Sequence, residues 1–595
     1  MNRKLLIVVF TAFCLASLAA CGGGNGNNNN VVSIAFTTAP PAALQTNAMA
    51  TIAATVSNSS NTGVDWTVSC GSADCGSLSA SHTDGGASLT YTAPGSVPTG
   101  NTVTITATAS ADSSVSVVGT TTITTGSTTS ALNGQYAFLL TGADITGFYV
   151  AAGSVVADGN GNISSGEEDF CDISACDFVQ FTNGTYSVGD DGRGSIQFST
   201  ADLGPQTFAV VVTSSSHGLI TEFDGTETSS GTLDLQDANS FDVGQFTGGF
   251  SFALAGVDLQ NGVFADLGGV LIADGSGGFN NGTIDVNDEQ TGFGTSTGVV
   301  LPVNTSIDSF GRVTVSNGST TFAYYIVNAK AIRMIQEDNN FLSGGSAYTQ
   351  GTGSLSVANL AGKSVFTEAG ISVFGSLALA GQFTADSGGS VSSGLMDVND
   401  GGTISNGSIS GSSFSSFASA RGTLGLSGGV SANVAEFQVY LVDPGVNILD
   451  PNSSTGGGGA LLLDSDSGAI GIGEIVPQSG SASFQGNYGA NLQAFTTTDE
   501  LDLEGQLAAM SGNLTGTGDL NDIDLNVDTI QLSPSQTLTG TFTADGANPG
   551  RFTGSLQIGN VEIVNLVYYQ ATSSQVILVE VDEVQQGNGV LIQQQ

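Results

Sequence analysis

The residues of this chain best suited to chemistry are oxygen ligands. Asp158, Asn160 and Asn162 alternate with glycines, and Asp169 follows, which is the hard-oxygen spacing of a calcium loop. Such a loop needs Gly at its sixth position for a sharp turn, and Ile163 stands there. Asp, Asn and Gly are also what a tight hairpin turn requires, so turn chemistry is preferred and calcium at these four residues is the alternative. No other cofactor is expected. His82 and His217 are the only histidines, which leaves histidine-dependent catalysis almost no material. No His-Glu-x-x-His string exists to hold catalytic zinc.

Two serine strings meet the same end. Gly294-Thr295-Ser296-Thr297-Gly298 matches a nucleophile elbow, which needs a strand–turn–helix context and a later histidine. Asp386-Ser387-Gly388-Gly389 is similar to a serine-protease nucleophile string, but it occupies a turn whose sister copies carry no equivalent serine. Carboxylates are abundant, yet no spacing selects a glycosidase pair. The expectation is a protein that is not an enzyme. A hydrolase with a convergent carboxylate pair is kept as an alternative.

These residues sit in a hairpin written four times. Its clearest copy is Asp274-Gly275-Ser276-Gly277-Gly278, running on to Gly282 and Asp285-Val286-Asn287-Asp288. The frame recurs at Asp158, Gly166 and Asp169, and at Asp386, Gly394 and Asp397. A fourth copy has Ala508 in the first place, then Gly516 and Asp519. The copies begin 116, 112 and 122 residues apart, which is the signature of repeated modules. Each module continues with an arginine at a glycine turn: Arg193, Arg312, Arg421 and Arg551. Each closes on a strand ending in glutamine, at Gln236, Gln350, Gln478 and Gln593. One cation per module at one turn points to a structural partner inside that module. The corner carboxylate, Asp169, Asp285, Asp397 or Asp519, can be gripped by two parallel hydrogen bonds.

Composition fits sheet structure. There are 85 glycines and 40% hydrophobic residues with only 10% charged, which suits short strands joined by tight turns. Alternating valine, isoleucine, leucine and phenylalanine let each module bury a core, so disorder is rejected. The predicted fold is all-β, with strand counts that close into small up-and-down barrels; two-sheet sandwiches are the alternative. A transmembrane barrel is rejected for want of apolar bands and aromatic girdles. Formal charge is −43, and nucleic acid is excluded as a partner by repulsion from phosphate.

The N-terminus reads as an export signal. Met1 to Lys4 is a short basic region and Leu5 to Ala20 an apolar stretch short for a membrane span. It ends Leu18-Ala19-Ala20-Cys21, which resembles the lipobox of bacterial lipoproteins. The resemblance implies acylation of Cys21, attachment to a membrane through the lipid and, with Gly22 following, the outer membrane of the bacterial envelope. Residues 21–30 are Gly- and Asn-rich, a flexible tether. In an oxidising compartment the close pairs Cys70/Cys75 and Cys171/Cys176 are expected as disulfides.

Residues 31–127 hold short alternating runs around Trp66, read as a β-sandwich with Trp66 in its core. The Trp66 segment and Thr90-Tyr91-Thr92-Ala93-Pro94 resemble bacterial immunoglobulin-like domains, which implies a spacer or adhesive unit. The expected organisation is thus a signal peptide (1–20), tether (21–30), immunoglobulin-like sandwich (31–127) and repeats at 128–238, 239–352, 353–478 and 479–595. The expected function is a lipid-anchored surface protein offering a multivalent face to extracellular glycan, matrix or protein. Small-molecule-binding barrels are the alternative.

Overall fold

The computed structural model describes residues 31–595 apart from 42, 46–48, 73–74, 95–96, 125–126, 129–131, 202, 430–433, 480–483, 497–498, 526, 528 and 560–561. The signal peptide, Cys21 and the tether lie outside the described residues. The chain divides after Gly126 into two compact units. Among the described residues the only helices are three short 3-10 turns, and no helix is long and apolar enough to cross a membrane.

The first unit has two sheets. One orders Ser33–Thr38, Met49–Ser57, Ser88–Thr92 and Ser77–Leu78; the other orders Ala43–Gln45, Ser116–Thr124, Thr102–Ala109, Val64–Cys70 and His82–Thr83. Strand Thr102–Ala109 shows why they form: every second side chain is buried, so one pleat face meets the core and the other faces away. Trp66 is buried in that core with Ile52, Tyr91, Val103 and Ile105, and its indole N–H donates to Thr83 Oγ1 at 2.9 Å. Cys70 and Cys75 are disulfide-bonded.

The second unit is four barrels, each an up-and-down meander rather than a two-sheet sandwich. In the first, the opening strand Asn133–Asp144 pairs with both its successor Gly147–Asp158 and the last strand Glu227–Leu235. Strand Asn162–Cys171 then forks. Its first residues pair with Gly184–Gly189 and close the barrel, while Gly166 onward pairs with Cys176–Phe181 in a projecting ribbon. The third barrel forks identically: Ser390–Asp400 pairs with Ser412–Ala418 at its start and Thr403–Ile409 beyond Gly394. In the fourth barrel one bent strand, Thr529–Ala544, serves both ribbon and wall. In the second the wall strand crosses from Gly292–Leu301 to Val303–Thr305 through Pro302, whose missing N–H suits a break in pairing.

The repeated frame now has physical reasons. The leading Asp caps the turn: Asp274 Oδ1 accepts from Ser276 N (2.7 Å) and Gly278 N (3.2 Å), with Gly275 and Gly277 at positive φ. The fourth copy lacks that Asp because its turn is a two-residue hairpin, with Ser511 (φ 53°) and Gly512 (φ 85°) both left-handed. The repeated Gly sits at the fork, where a Cβ on Gly166 would stand 2.2 Å from the Phe181 ring. Only glycine fits there. The corner Asp follows three residues later, on the ribbon.

Candidate functional site

Each ribbon reaches the next barrel, and there the corner aspartate is gripped. Arg312 donates to Asp169 through Nε (2.6 Å) and Nη2 (2.5 Å), and Tyr325 O–H donates to the same carboxylate at 2.7 Å. Arg421 and Tyr440 hold Asp285 the same way, at 2.6, 2.6 and 2.7 Å. Arg551 and Tyr569 hold Asp397, with both arginine bonds at 2.8 Å. Arginine and tyrosine face each other across one hairpin, Arg312 opposite Tyr325, Arg421 opposite Tyr440 and Arg551 opposite Tyr569, so both point from one face at one carboxylate.

This corrects the expected partner of the arginines. It is the corner carboxylate, but that of the preceding repeat rather than of its own. The fourth aspartate is gripped by the first arginine: Arg193 Nη2 donates to Asp519 at 2.6 Å. The barrels therefore form a closed ring. At that closing seam Val211 stands opposite Arg193 where the others have tyrosine, and only one arginine bond is made. The ordinary pairing of ribbon Asn with its neighbour recurs too. Asn287 Nδ2 donates to the carbonyls of Asp464 and Ala469 (2.9 Å each), Asn399 to those of Asp582 (2.7 Å) and Gln585 (2.8 Å), and Asn521 to those of Glu222 and Glu227 (2.8 Å each). In the first ribbon that place belongs to Cys171, disulfide-bonded to Cys176.

Two of the module-ending glutamines join the seams as well, while Gln350 Nε2 donates to Ser251 of its own repeat at 2.9 Å. Gln236 Nε2 donates to Ile326 O at 2.7 Å and Gln478 Nε2 to Gln570 O at 2.8 Å. In the fourth repeat the equivalent is Gln594, bonded to Asp191 O at 2.5 Å, not Gln593. A segment of the third barrel between Val442 and Gly459 fills the ring's middle. Asn452 Nδ2 donates to Ser216 O and Leu235 O of the first barrel, Ile448 O accepts from Tyr348 of the second, and Asn447 Oδ1 accepts from Gln575 of the fourth.

Beside it lies the most buried charge network. Arg333 Nη2 meets Asp234 Oδ2 at 2.5 Å, and His217 Nδ1 meets Asp234 Oδ1 at 2.9 Å. Burial works against the Asp234 charge, but Arg333 and His217 outweigh it and its carboxyl falls to about 2. Both His217 and Asp234 side chains are wholly buried, so this pair has no face for a substrate. On the first unit Ser110, His82 and Asp65 also meet. Ser110 Oγ bonds Asp65 at 2.7 Å and lies 3.5 Å from His82 Nδ1, the same nitrogen that Asp65 holds, so it cannot be activated as a triad serine is.

Of the four residues weighed for calcium, Asp158, Asn160 and Asn162 meet in one turn and Asp169 lies apart from them. Asp158 Oδ1 accepts from Asn160 N (2.7 Å) and Asn162 N (3.1 Å), a turn cap. Asp169 pairs in register with Ala152, six residues up the strand from Asp158, about 20 Å away, and is committed to Arg312.

A different acidic group does converge, at the mouth of the first barrel. One oxygen each of Glu222, Asp224 and Glu227 lie within 4.8 Å of one another. Glu222 is 1% exposed, while Asp224 and Glu227 are half-buried. Behind them Gln206 donates to Glu168 Oε2 at 3.0 Å. Both oxygens of Glu222, Oε1 of Glu168, Oε1 of Gln206 and the Tyr149 hydroxyl are buried without a hydrogen-bond partner. Burial first, then the neighbouring Asp224, Glu227 and Glu168 charges, push the Glu222 carboxyl far above the usual range. Glu168 is pushed up to about 8, again chiefly by burial. Sequence reasoning passed over these residues because only a Glu-x-Asp-x-x-Glu spacing marks them, and acids are common here.

No protein-family model matches the chain, and no curated protein matches it. Solved structures that align with it include a point mutant of transferrin binding protein B from Haemophilus parasuis (9% identity, 67% of this chain, 85% of that one, TM-score 0.18). AttH from Nitrosomonas europaea aligns at 12% identity over 58% of this chain and 92% of its own, TM-score 0.16. A DUF3598-family protein from Nostoc punctiforme aligns at 6% over 59% and 97%, TM-score 0.13. At such scores the likenesses carry no argument about function.

Proposed function

We propose that this chain is a lipid-anchored protein of the bacterial envelope whose barrel ring presents four similar contact patches for adhesion to matrix, glycan or protein. One observation carries the reading: apolar side chains recur at the ribbon end of every barrel. Strands one and two, and three and four, turn at the same end of an up-and-down barrel. Ile145 and Ile173 stand exposed there in the first repeat, Phe264 in the second, Val373 and Phe374 in the third, Leu525 and Val527 in the fourth. Each seam also brings an acidic loop of the next barrel to that end, as where Gly402 abuts Glu583. Exposed apolar groups rimmed by charge are what contact sites use. Four weak copies on one rigid ring gain avidity without a strong single site.

The barrel interiors favour this over a small-molecule carrier. Each is filled by its own apolar cluster, such as Tyr136, Phe138, Leu140, Phe208 and Ile220 in the first. Two surface pockets, of about 280 and 230 Å³, lie outside those interiors. The lipid anchor at Cys21 and the immunoglobulin-like spacer belong to the same proposal.

The test is a glycan and extracellular-matrix array probed with the purified chain. Expected is binding that falls more steeply than in proportion as Phe264→Ser, Phe374→Ser and Val527→Ser are combined. Binding unchanged in the triple variant would remove the patches from the reading. Labelled palmitate incorporation lost in Cys21→Ser checks the anchor.

A further inference from the structure

We infer that the mouth of the first barrel, formed by Glu222, Asp224 and Glu227, is a binding site for one hard divalent cation, with calcium as its best fit. An acidic cluster alone would not carry this. The second observation is that no donor group reaches either oxygen of the buried Glu222, and one of these oxygens lies within 4.8 Å of oxygens of two further acids. A buried carboxyl without a partner is costly, and three acids this close can be ionised together only with positive charge among them. The Tyr149 hydroxyl and Glu168 Oε1, also buried and unpartnered, supply oxygens behind the same mouth.

All the donors are oxygens, which selects magnesium, calcium or manganese over zinc or copper. Calcium is favoured within that group because it accepts many protein oxygens in irregular geometry, whereas magnesium keeps most of its waters. The mouth is open to an ion: Gly225 and Thr226, between the acids, are exposed.

The sister loops lack the constellation. In the second repeat Gln336 takes the place of Glu222 and bonds to Asp338 at 2.7 Å. In the third, Asp464 lies against Glu368 inside its barrel. In the fourth, Gln585 stands in the place of Glu227, its carbonyl taking the corresponding bond from Asn399. One ion per chain follows. The loop is also held from across the closing seam, where Asn521 donates to the Glu222 and Glu227 carbonyls. A cation there would therefore favour the closed ring by mass action.

Calorimetric titration of the purified chain with calcium chloride, after chelation and at pH 7.5, tests this. Expected is one site per chain, weakened at least about tenfold in Glu222→Gln, with a calcium-dependent rise in melting temperature that the variant lacks. Asp224→Asn, on the half-buried rim, provides a second variant should Glu222→Gln not fold. Competition by magnesium at equal strength would reassign the ion but keep the site. Identical titrations for the wild type and a folded variant, or no saturable site, would overturn it.

Discussion

The three sequential seams and the closing seam solve one problem with different parts. Between repeats one and two, two and three, and three and four, a bidentate arginine and a tyrosine hydroxyl saturate a buried aspartate. Between four and one, a single arginine bond and the backbone N–H of Ser535 (2.7 Å) do so, and Val211 replaces tyrosine. The apolar contact there is also small, centred on Val211, Leu219 and Ile592, whereas the first three repeats share a cluster running from Ala137 to Leu463. The sequential seams join barrels that are neighbours along the chain. The closing seam joins its ends. The ring's weakest joint is therefore the one that sequence order does not enforce.

Breaking a sequential clamp should cost most. Arg421→Leu leaves Asp285 buried without its cation, an expected loss of about 3–5 kcal/mol in denaturant unfolding. Arg193→Leu should cost less, about 2 kcal/mol, because one charged hydrogen bond is lost, and should open the ring while each barrel keeps its sheet signal in circular dichroism. Equal losses for the two variants would erase the distinction between seams. Tyr440→Phe removes one hydrogen bond from a carboxylate that keeps its arginine, for about 1 kcal/mol.

Acidity should separate the seams by sign. At the closing seam burial pushes Asp502 up to about 7, although Ser230 and Thr228 donate to it, each at 2.5 Å. It holds its proton more tightly folded than unfolded. Its contribution is complete below the ordinary carboxylate range, about pH 4, and is lost as pH rises through about 7. Asp234, tied to Arg333 across the first seam, falls to about 2, so its contribution is complete above about pH 4 and lost only as pH falls through about 2. Burial also raises Asp266 to about 7 and Glu368 to about 8. Melting temperature should therefore peak near pH 4–5 and decline by pH 8. A profile rising over that range would contradict the neutral state of these carboxyls.

Much of this was legible in the sequence. The turn residues, the fork glycine, the corner aspartate and the arginine turn all recur at fixed places, because each repeat meets the same steric and electrostatic demands. Which aspartate each arginine takes was not legible: four equal copies cannot say whether a pair forms within a repeat or between neighbours. The tyrosines were visible in the apolar runs, as in Phe322-Ala323-Tyr324-Tyr325, but their role depends on hairpin register. The segment that fills the ring's middle is unique to the third repeat, so repetition could not reveal it. Its trace was the longer spacing of 122 residues before the fourth copy. The acidic mouth was hidden by composition, since 52 acids make any three unremarked.

Ring closure is tested most directly by small-angle X-ray scattering of residues 127–595, the unit with its own cores. A closed ring should give a radius of gyration near the compact-chain value, about 23 Å, rising in Arg193→Leu. A wild-type value far above that, unchanged by the substitution, would mean a string of barrels and contradict the account.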